Sequence, residues 1–512
     1  MATNDEIGIA REFHDGTAHS RLSVRSSGHT LDWDIKPFPF KVYTDLAALA
    51  LPRDFDAVSL DTLLALGEAP AAPVGRVTVP TVAALLYFAA GVTKKKTYPG
   101  GGEVLFRAAP STGALFQTEL YLVAGEVEGL EAGLYHFCPG DFSLRRLRAG
   151  DVRGVLGEAA VDRALAGRAA TLILSAIYWR NTWKYEARGY RHLFWDSGTM
   201  LANLLATAGA LGAAPRVVTA FADDQVNLVL GLDTDREAAL ELVALGPEGA
   251  AAPVIGLDAI VHPIMPLSSS EVDYPQLREI HAASGLDSPG AVRAWRAAVP
   301  PPLRRPRGTV TALPEPRRTA GRSLGETIQH RGSTRQFSRE PISAVELSTV
   351  LWATARPFEA DVQSGLVDPY LVVNAVDEVK AGSYRYWPDE HALELLTAGD
   401  HRRQSAYLCL DQSLGGDAAA VLYFLAPLDA LLRAFGNRGY RLANLEAGLM
   451  GGRAYLAAYA QRLGATGLTF YDDEVVRFFS PHAAGLDAIF VTALGRAAPA
   501  VRAEVRSLLH AR

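Results

Sequence analysis

The tetrapeptide Arg-Gly-Tyr-Arg occurs twice in this 512-residue chain, at Arg188 to Arg191 and again at Arg438 to Arg441. A single tetrapeptide match is within the reach of chance, so the test is whether its surroundings repeat in the same phase. They do. Gly133 opens GLYHF and Gly382 opens GSYRY, Ala149 and Ala398 each open AGD, and Asp223 in ADDQV is answered by Asp472 in YDDEV. These pairs share one offset, and it differs by a single residue from the offset between Arg188 and Arg438. The repeat is far longer than the roughly 20 to 50 residues of a solenoid unit, so it reads as two globular domains in tandem.

Composition permits this. With 49% hydrophobic and 21% charged residues, usage is that of globular domains, and each copy is long enough to bury its own core. The net charge of −6 gives no reason to expect a nucleic-acid partner; only RRPRG and its surroundings are locally basic. The start, MATNDEIGIAREF, lacks the basic and apolar regions of a signal peptide, and no apolar run approaches the length of a membrane span. The expectation is a soluble, cytoplasmic protein with no membrane partner. Cys138 and Cys409 are the only cysteines, with no CxxC pair, and the histidines are scattered, so neither a disulfide framework nor a metal site is expected.

The organisation follows from punctuation. Residues 1–50 read as an N-terminal extension, 51–285 as the first copy, 286–320 as a linker and 321–512 as the second copy. The linker contains VPPPLRRPRGTVTALPEPRRTAG, whose prolines fix φ and remove donors, which suggests an extended, solvated connector. Ser323 with Glu326 and Ser343 with Glu346 form S-x-x-E capping boxes before apolar residues at helical spacing, predicting two short helices around RGSTRQFSREP. ATLILSAIYW, PYLVVNAV and AAAVLYFLA read as buried strands. After each RGYR comes a long helical stretch ending at Gly212 or Gly464, either of which suits a C-cap. Asp223 and Asp472 precede short helical runs and read as N-caps rather than acids. Helices and strands mix without a βαβ rhythm, which favours an α+β fold.

The common chemical motifs, GxGxxG, GxxxxGK[ST], GxSxG and HExxH, are absent. Gly100 to Gly102 lack the frame of a phosphate loop and read as a mobile loop. Three stretches carry chemistry. Arg331-Gly332-Ser333-Thr334-Arg335 sets two guanidiniums and two hydroxyls beside a helix end, a pattern that suits a phosphate and equally a solvated basic turn. RAAPSTGAL, from Arg107 through Pro110, Ser111 and Gly113 to Leu115, presents backbone donors on a constrained turn. WKYEARGYR sets Lys184 and Tyr185 just before the first RGYR, with a partly buried structural lysine as the plain alternative.

With these stretches in view, the chain resembles the FMN-dependent nitroreductase-like flavoproteins, and within them the SagB-type dehydrogenases of azole-containing peptide biosynthesis. The likeness of the first copy lies in LDWDIKPFPFKVY, RAAPSTGALFQTELYLV, GLEAGLYHF, KYEARGYRHLFWDSGTMLANLLATAGALG and FADDQVNLVLGLD; that of the second lies in RGSTRQFSREPISAVELSTVLWATA. The resemblance implies central mixed sheets flanked by helices and an FMN site between two subunits, here an intrachain pseudo-dimer. It also implies a phosphate held by the Arg/Ser segment of one copy and a flavin covered by the Pro-Ser segment of the other. The copies depart from this pattern in opposite ways. The first has GEAPAAPVGRVTVP in place of the Arg/Ser segment, keeping only Arg76, whereas the second lacks the Pro-Ser segment and has Ala434 and Phe435 in place of Lys184 and Tyr185. Arg331, Ser333 and Arg335 therefore complement Arg107, Pro110, Ser111 and Gly113 in one FMN site, with Arg496 as a further phosphate ligand. The implied activity is an FMN-dependent dehydrogenation of a peptide azoline or similar heterocycle, with Lys184 as base and Tyr185 as proton donor or positioning group. Two rivals stand beside it: an NAD(P)H-dependent nitro- or quinone-reductase, and a flavin-binding or flavin-free scaffold for a partner enzyme.

Overall fold

Two seven-stranded sheets share one strand order. In the first copy the strands run Ala48–Ala50, Ser143–Ala149, Gly133–Cys138, Thr118–Ala124, Arg168–Ile177, Glu237–Glu248 and Arg216–Val218 across the sheet. In the second they run Val310–Ala312, Ala392–Ala398, Gly382–Trp387, Asp368–Val373, Ala420–Ala426, Asp487–Gly495 and Gly464–Gly467. The computed structural model describes residues 3–55, 57–67, 74–97, 103–499 and 505–507; Gly100 to Gly102 and the segment 68–73 lie outside the described residues. Two of the repeated sequence anchors meet within each sheet, since Gly133 pairs with Ala149 and Gly382 with Ala398.

Every ladder in both sheets is antiparallel, where mixed sheets were expected. The reason is local: the strands from Thr118 to Ala149 form a meander whose short turns force neighbours into opposite directions. Strands Arg168–Ile177 and Ala420–Ala426 are buried almost throughout, as their unbroken apolar runs predict. Both capping boxes are formed, opening helices Leu324–His330 and Ala344–Thr354. None of the described helices is long and apolar enough to cross a membrane.

Three expectations need correction. The segment 286–320 is structured rather than extended. Ser288 caps helix Pro289–Arg296, which buries Val292 and Trp295 on one face, and Val310–Ala312 joins the second sheet. Gly212 does take a left-handed φ of 67° after helix Gly189–Ala210, but after helix Arg438–Ala460 Arg462 takes that conformation and Gly464 begins a strand. Asp223 and Asp472 are not caps. The capping positions are Ala222 and Tyr471, neither with a side-chain hydrogen bond, and both aspartates are bound by arginines of the other copy.

The duplicated tetrapeptide explains the assembly. It forms the start of each central helix, Gly189–Ala210 and Arg438–Ala460, and these two helices cross. A methyl group at Gly198 would lie 2.4 Å from the Leu445 carbonyl oxygen, and one at Gly448 would lie 2.4 Å from that of Trp195, so the close crossing needs glycine at both positions. Tyr190 and Tyr440, the tyrosines of the two motifs, lie nearly parallel with ring centres 6.5 Å apart. Around them the charges cross over. Asp472 accepts from Arg191 at 2.6 Å and from Arg188 at 3.3 Å, while Asp223 accepts from Arg438 and Arg441 at 2.7 Å each.

Each cluster is sealed by a different segment. The carbonyls of His14 and Thr17, from helix Gly8–Gly16 and its cap, receive Arg191 and Arg188, and the His19 N–H reaches Asp472. On the other side Ser284 and the His281 carbonyl receive Arg441, and the Leu286 N–H reaches Asp223. Burial alone would raise the pKa of Asp223, but the two arginines outweigh it and hold the group at about 2. Asp472 is lowered for the same reason by Arg188 and Arg191.

Removing one partner of such a buried cluster leaves charge unpaired. Asp472→Asn is expected to destabilise the chain by about 3 to 5 kcal/mol in denaturant unfolding. Because the folded pKa values lie below the unfolded aspartate value of about 3.9, the clusters stabilise the fold fully above that pH. The contribution is lost as pH falls below that value and through the folded pKa, so the unfolding free energies of the parent and of Asp472→Asn should draw together in acid.

Candidate active site

Helix Tyr178–Tyr185 carries Lys184 and Tyr185 in its last turn, and Glu186 ends it at φ 50°. The N-terminal extension holds this helix in place. Leu31 and Ile35 pack on the cluster of Leu115, Trp179 and Trp183, and the Trp183 indole donates to the Asp32 carbonyl at 2.7 Å. Tyr185 stands edge-on to His192 with centroids 4.5 Å apart. Lys184 is partly buried, with its ammonium 5.4 Å from the centre of the Tyr185 ring.

Electrostatics place the second copy at this point. The Lys184 pKa is lowered by burial, then by Arg335 and Lys36; that of Tyr185 is raised by burial and Asp196 and opposed by Arg335. Arg335 belongs to the second copy, and its guanidinium is exposed with no hydrogen bond or ion pair among the described residues.

The Pro-Ser turn is tied to the central helix by Asp196, a residue that sequence reasoning missed. Asp196 accepts from Ser111 Oγ at 2.6 Å, Thr112 N at 2.8 Å, Thr112 Oγ1 at 2.7 Å and Gln117 Nε2 at 2.7 Å. Burial raises its pKa to about 6 against these donors. An aspartate inside FWDSGTML, a helix interior otherwise short of charge, was the available signal, because Asp is a poor interior helix former. Glu446 is its counterpart in the second copy and accepts from the N–H groups of Gly365 and Leu366. The Pro110 carbonyl accepts from Thr199, and Gly113 has φ 66°. A methyl group there would lie 2.9 Å from the Tyr185 hydroxyl, so the turn and the Tyr185 side chain fix each other.

The remaining expected ligands sit differently. Arg331 is buried and donates Nε to the Ala108 carbonyl and Nη2 to the Arg107 carbonyl, both at 2.9 Å. Lys94 of the first copy returns the clasp by donating to the carbonyls of His330 and Arg331. Arg331 therefore joins the Arg/Ser segment to the Pro-Ser turn, rather than offering a free guanidinium to a phosphate. Arg107 is buried between Phe40 and Phe116 and donates to the Pro39 carbonyl, so its side chain faces the N-terminal extension and not the turn. Arg496 binds Glu346 and the Pro341 carbonyl, which draws it to the start of helix Ala344–Thr354. Ser333 faces the Tyr455 hydroxyl at 3.3 Å.

The equivalent place in the other half is lined by the linker and the N-terminus. Phe435 stands where the first copy has Tyr185. Its carbonyl accepts from Trp295 and Asn4, and its ring packs on Trp295 at 5.3 Å. The loop at Gly365 lies against Pro300 to Leu303, leaving about 30 Å³. The linker and the N-terminus thus line this position, where Trp295 and Phe435 border a cavity of about 1210 Å³.

The comparisons with known proteins agree with this architecture. The nitroreductase family model matches residues 75–246 and 328–508, one match in each copy. The chain belongs to the nitroreductase family, a family of flavin oxidoreductases, and carries two such domains in tandem. A crystal structure from Anabaena variabilis described as a candidate nitroreductase superposes with a TM-score of 0.77 at 27% identity, covering 96% of this chain and 99% of that one. A Methanocaldococcus jannaschii protein, also described as a candidate nitroreductase, is 29% identical over 30% of this chain and 81% of its own. The trifolitoxin-processing protein of Rhizobium leguminosarum is 28% identical over 35% of this chain, and the microcin B17-processing protein of Escherichia coli is 27% identical over 25%. This chain spans about half the length of each of those two, 49% in both cases.

Gly113→Ala should cost about 1 to 2 kcal/mol of stability for the left-handed backbone alone, with an added clash against the Tyr185 hydroxyl. Thermal unfolding of a double-mutant cycle checks this: the cost should shrink in a Tyr185→Phe background, and equal costs in both backgrounds would place the tyrosine elsewhere.

Proposed function

We propose that this chain is an FMN-dependent dehydrogenase that oxidises a peptide azoline or a similar heterocycle at a single site built from both copies. The observation that carries the proposal is the close approach of Tyr185 to the Pro-Ser turn at Gly113, within the electrostatic reach of Arg335 from the other copy. The names of two relatives, which process trifolitoxin and microcin B17, support a peptide substrate.

The residues present suit a phosphate-bearing cofactor. Arg335 is exposed and free of ion pairs among the described residues, and Gly332 has no atom nearer than 3.7 Å to the position of an added methyl. Lys94, held by burial and Arg331 at a pKa of about 8, lies 3.9 Å from that same position. Arg335, Lys94, Lys184 and Lys36 concentrate positive charge in a chain of net charge −6. In this reading Arg335 and Ser333 would hold the phosphate, and the turn from Pro110 to Gly113 would cover the flavin. Bound FMN supplies a two-electron acceptor, which the side chains cannot.

The protein's own part is proton transfer. Dehydrogenation to an aromatic ring requires loss of a proton beside the carbon that loses hydride. Lys184, its ammonium destabilised by burial and by Arg335 and Lys36, takes that proton as the neutral amine. Tyr185, whose proton is held firmly by burial and Asp196, donates a hydrogen bond that orients the substrate. A second reading, reduction of a nitro compound or quinone at the expense of NAD(P)H, draws support from the relatives described as nitroreductases and needs no base on carbon.

Lys184→Ala separates the two. Flavin content should survive, azoline oxidation should fall by about 10² to 10⁴, and quinone reduction should be almost unchanged; loss of flavin with activity would make Lys184 a structural residue. The pH profile adds a signed test. The rate should rise with pH and level off below the ordinary lysine value of 10.5, and Lys36→Met should move that midpoint upward by removing a charge that lowers it. Arg335→Ala should weaken FMN binding about ten- to a hundredfold, whereas Arg76→Ala, at an 87% exposed side chain, should leave it unchanged.

A further inference from the structure

The helix that ends in Lys184 and Tyr185 begins at Tyr178, and that far end lines a cavity of about 1210 Å³ between the two copies and the N-terminal residues Thr3 to Ile7. A second cavity, of about 260 Å³, shares Tyr178, Asp235 and Arg278 with it and continues past Trp179 and Thr182 to Tyr274. Tyr178, Thr182 and Tyr185 are spaced i, i+4 and i+7, so they share one helix face. Tyr274 and Tyr185 both pack on the cluster of Leu115, Trp179 and Trp183. The two cavities therefore form one groove along the helix toward Lys184, about 12 Å for the eight helical residues alone.

The groove has a charge of its own. Asp5, Asp224, Glu279 and Asp287 line it, are exposed, and have no cationic partner among the described residues. Arg278 is already paired with Asp235 and Asp273, so Arg433 is the one lining cation that opposes them without an ion pair among the described residues. The buried Tyr178 lines both cavities, and its hydroxyl has no hydrogen-bond partner in a site where buried polar groups ordinarily find one. A volume of 1210 Å³ exceeds the roughly 300 to 1,000 Å³ of small-molecule sites, which favours an extended chain over a compact ligand.

We infer that this groove seats an extended cationic peptide segment, the part of the substrate remote from the reacting ring, with lysine or arginine side chains against Asp224, Glu279 and Asp287. The link to Lys184 rests on the dehydrogenase reading; the binding does not. Anchoring a remote segment in this way would position the reacting ring without touching it.

The test is fluorescence anisotropy of a fluorescein-labelled peptide alternating lysine and glycine, titrated with the flavin-loaded full chain, beside a matched glutamate–glycine peptide. The lysine probe should bind, weaken with added salt, and lose about tenfold in affinity in the triple variant Asp224→Asn, Glu279→Gln, Asp287→Asn. Flavin content and thermal unfolding of the variant report that it is folded, and Tyr178→Phe gives a second, independent loss. Equal binding of both probes, or undiminished binding by the triple variant, overturns the inference. So does spermidine that competes better than the peptide, since it would assign the groove to a small polyamine. A chain that binds the lysine probe through these carboxylates but oxidises no azoline keeps the groove and loses the dehydrogenase reading. One that oxidises azoline and ignores the probe loses the groove alone.

Discussion

A buried aspartate held between two arginines of the other copy is the interaction on which the rest of this structure depends. It occurs twice, as Asp472 with Arg188 and Arg191 and as Asp223 with Arg438 and Arg441. Neither cluster can be broken at one member without leaving uncompensated charge in a low-dielectric interior. They flank the stacked pair Tyr190 and Tyr440, so the register of the two central helices is fixed electrostatically as well as by the close approach at Gly198 and Gly448. Everything that brings residues of one copy to residues of the other inherits that register, including the clasp of Arg331 on the carbonyls of Arg107 and Ala108.

The symmetry stops at the periphery. Both copies tie a turn to the central helix through an acid, Asp196 in one and Glu446 in the other, so the scaffold is the same. What differs is what lies over it. In the second half Trp295, Phe435 and the stretch from Pro300 to Leu303 lie there, and the segment joining the copies supplies most of that lining. In the first half, residues 31–36 of the N-terminal extension stop short and leave Lys184 and Tyr185 partly exposed. Fusion of two domains allows this division, because two identical subunits could not line their two sites differently.

Much of this was legible in the sequence. The offset shared by Gly133 and Gly382 and by Ala149 and Ala398 revealed the duplication because those residues pair across equivalent strands, and a strand pair tolerates no change of register. The capping boxes at Ser323 and Ser343 were readable because a cap is a local device. The aspartates were misread for the complementary reason. Asp223 and Asp472 each begin a helix, which is what a local rule sees, whereas their partners lie in the other copy. Arg107, Arg331 and Arg496 were grouped by the segments the family resemblance marks, and which way a guanidinium turns is decided by carbonyls and rings distant in sequence. The expected mixed sheet came from the family resemblance rather than from any residue.

The central claim is that complementary halves make one site and that the other lacks both of its motifs. Its most direct test is a count: purify the chain saturated with flavin, denature it, and measure FMN released per polypeptide. The account predicts one equivalent. Two equivalents in the parent protein would contradict it, because the second site would then have to hold a cofactor with neither the Arg/Ser segment nor the Pro-Ser turn and with Phe435 in place of Tyr185.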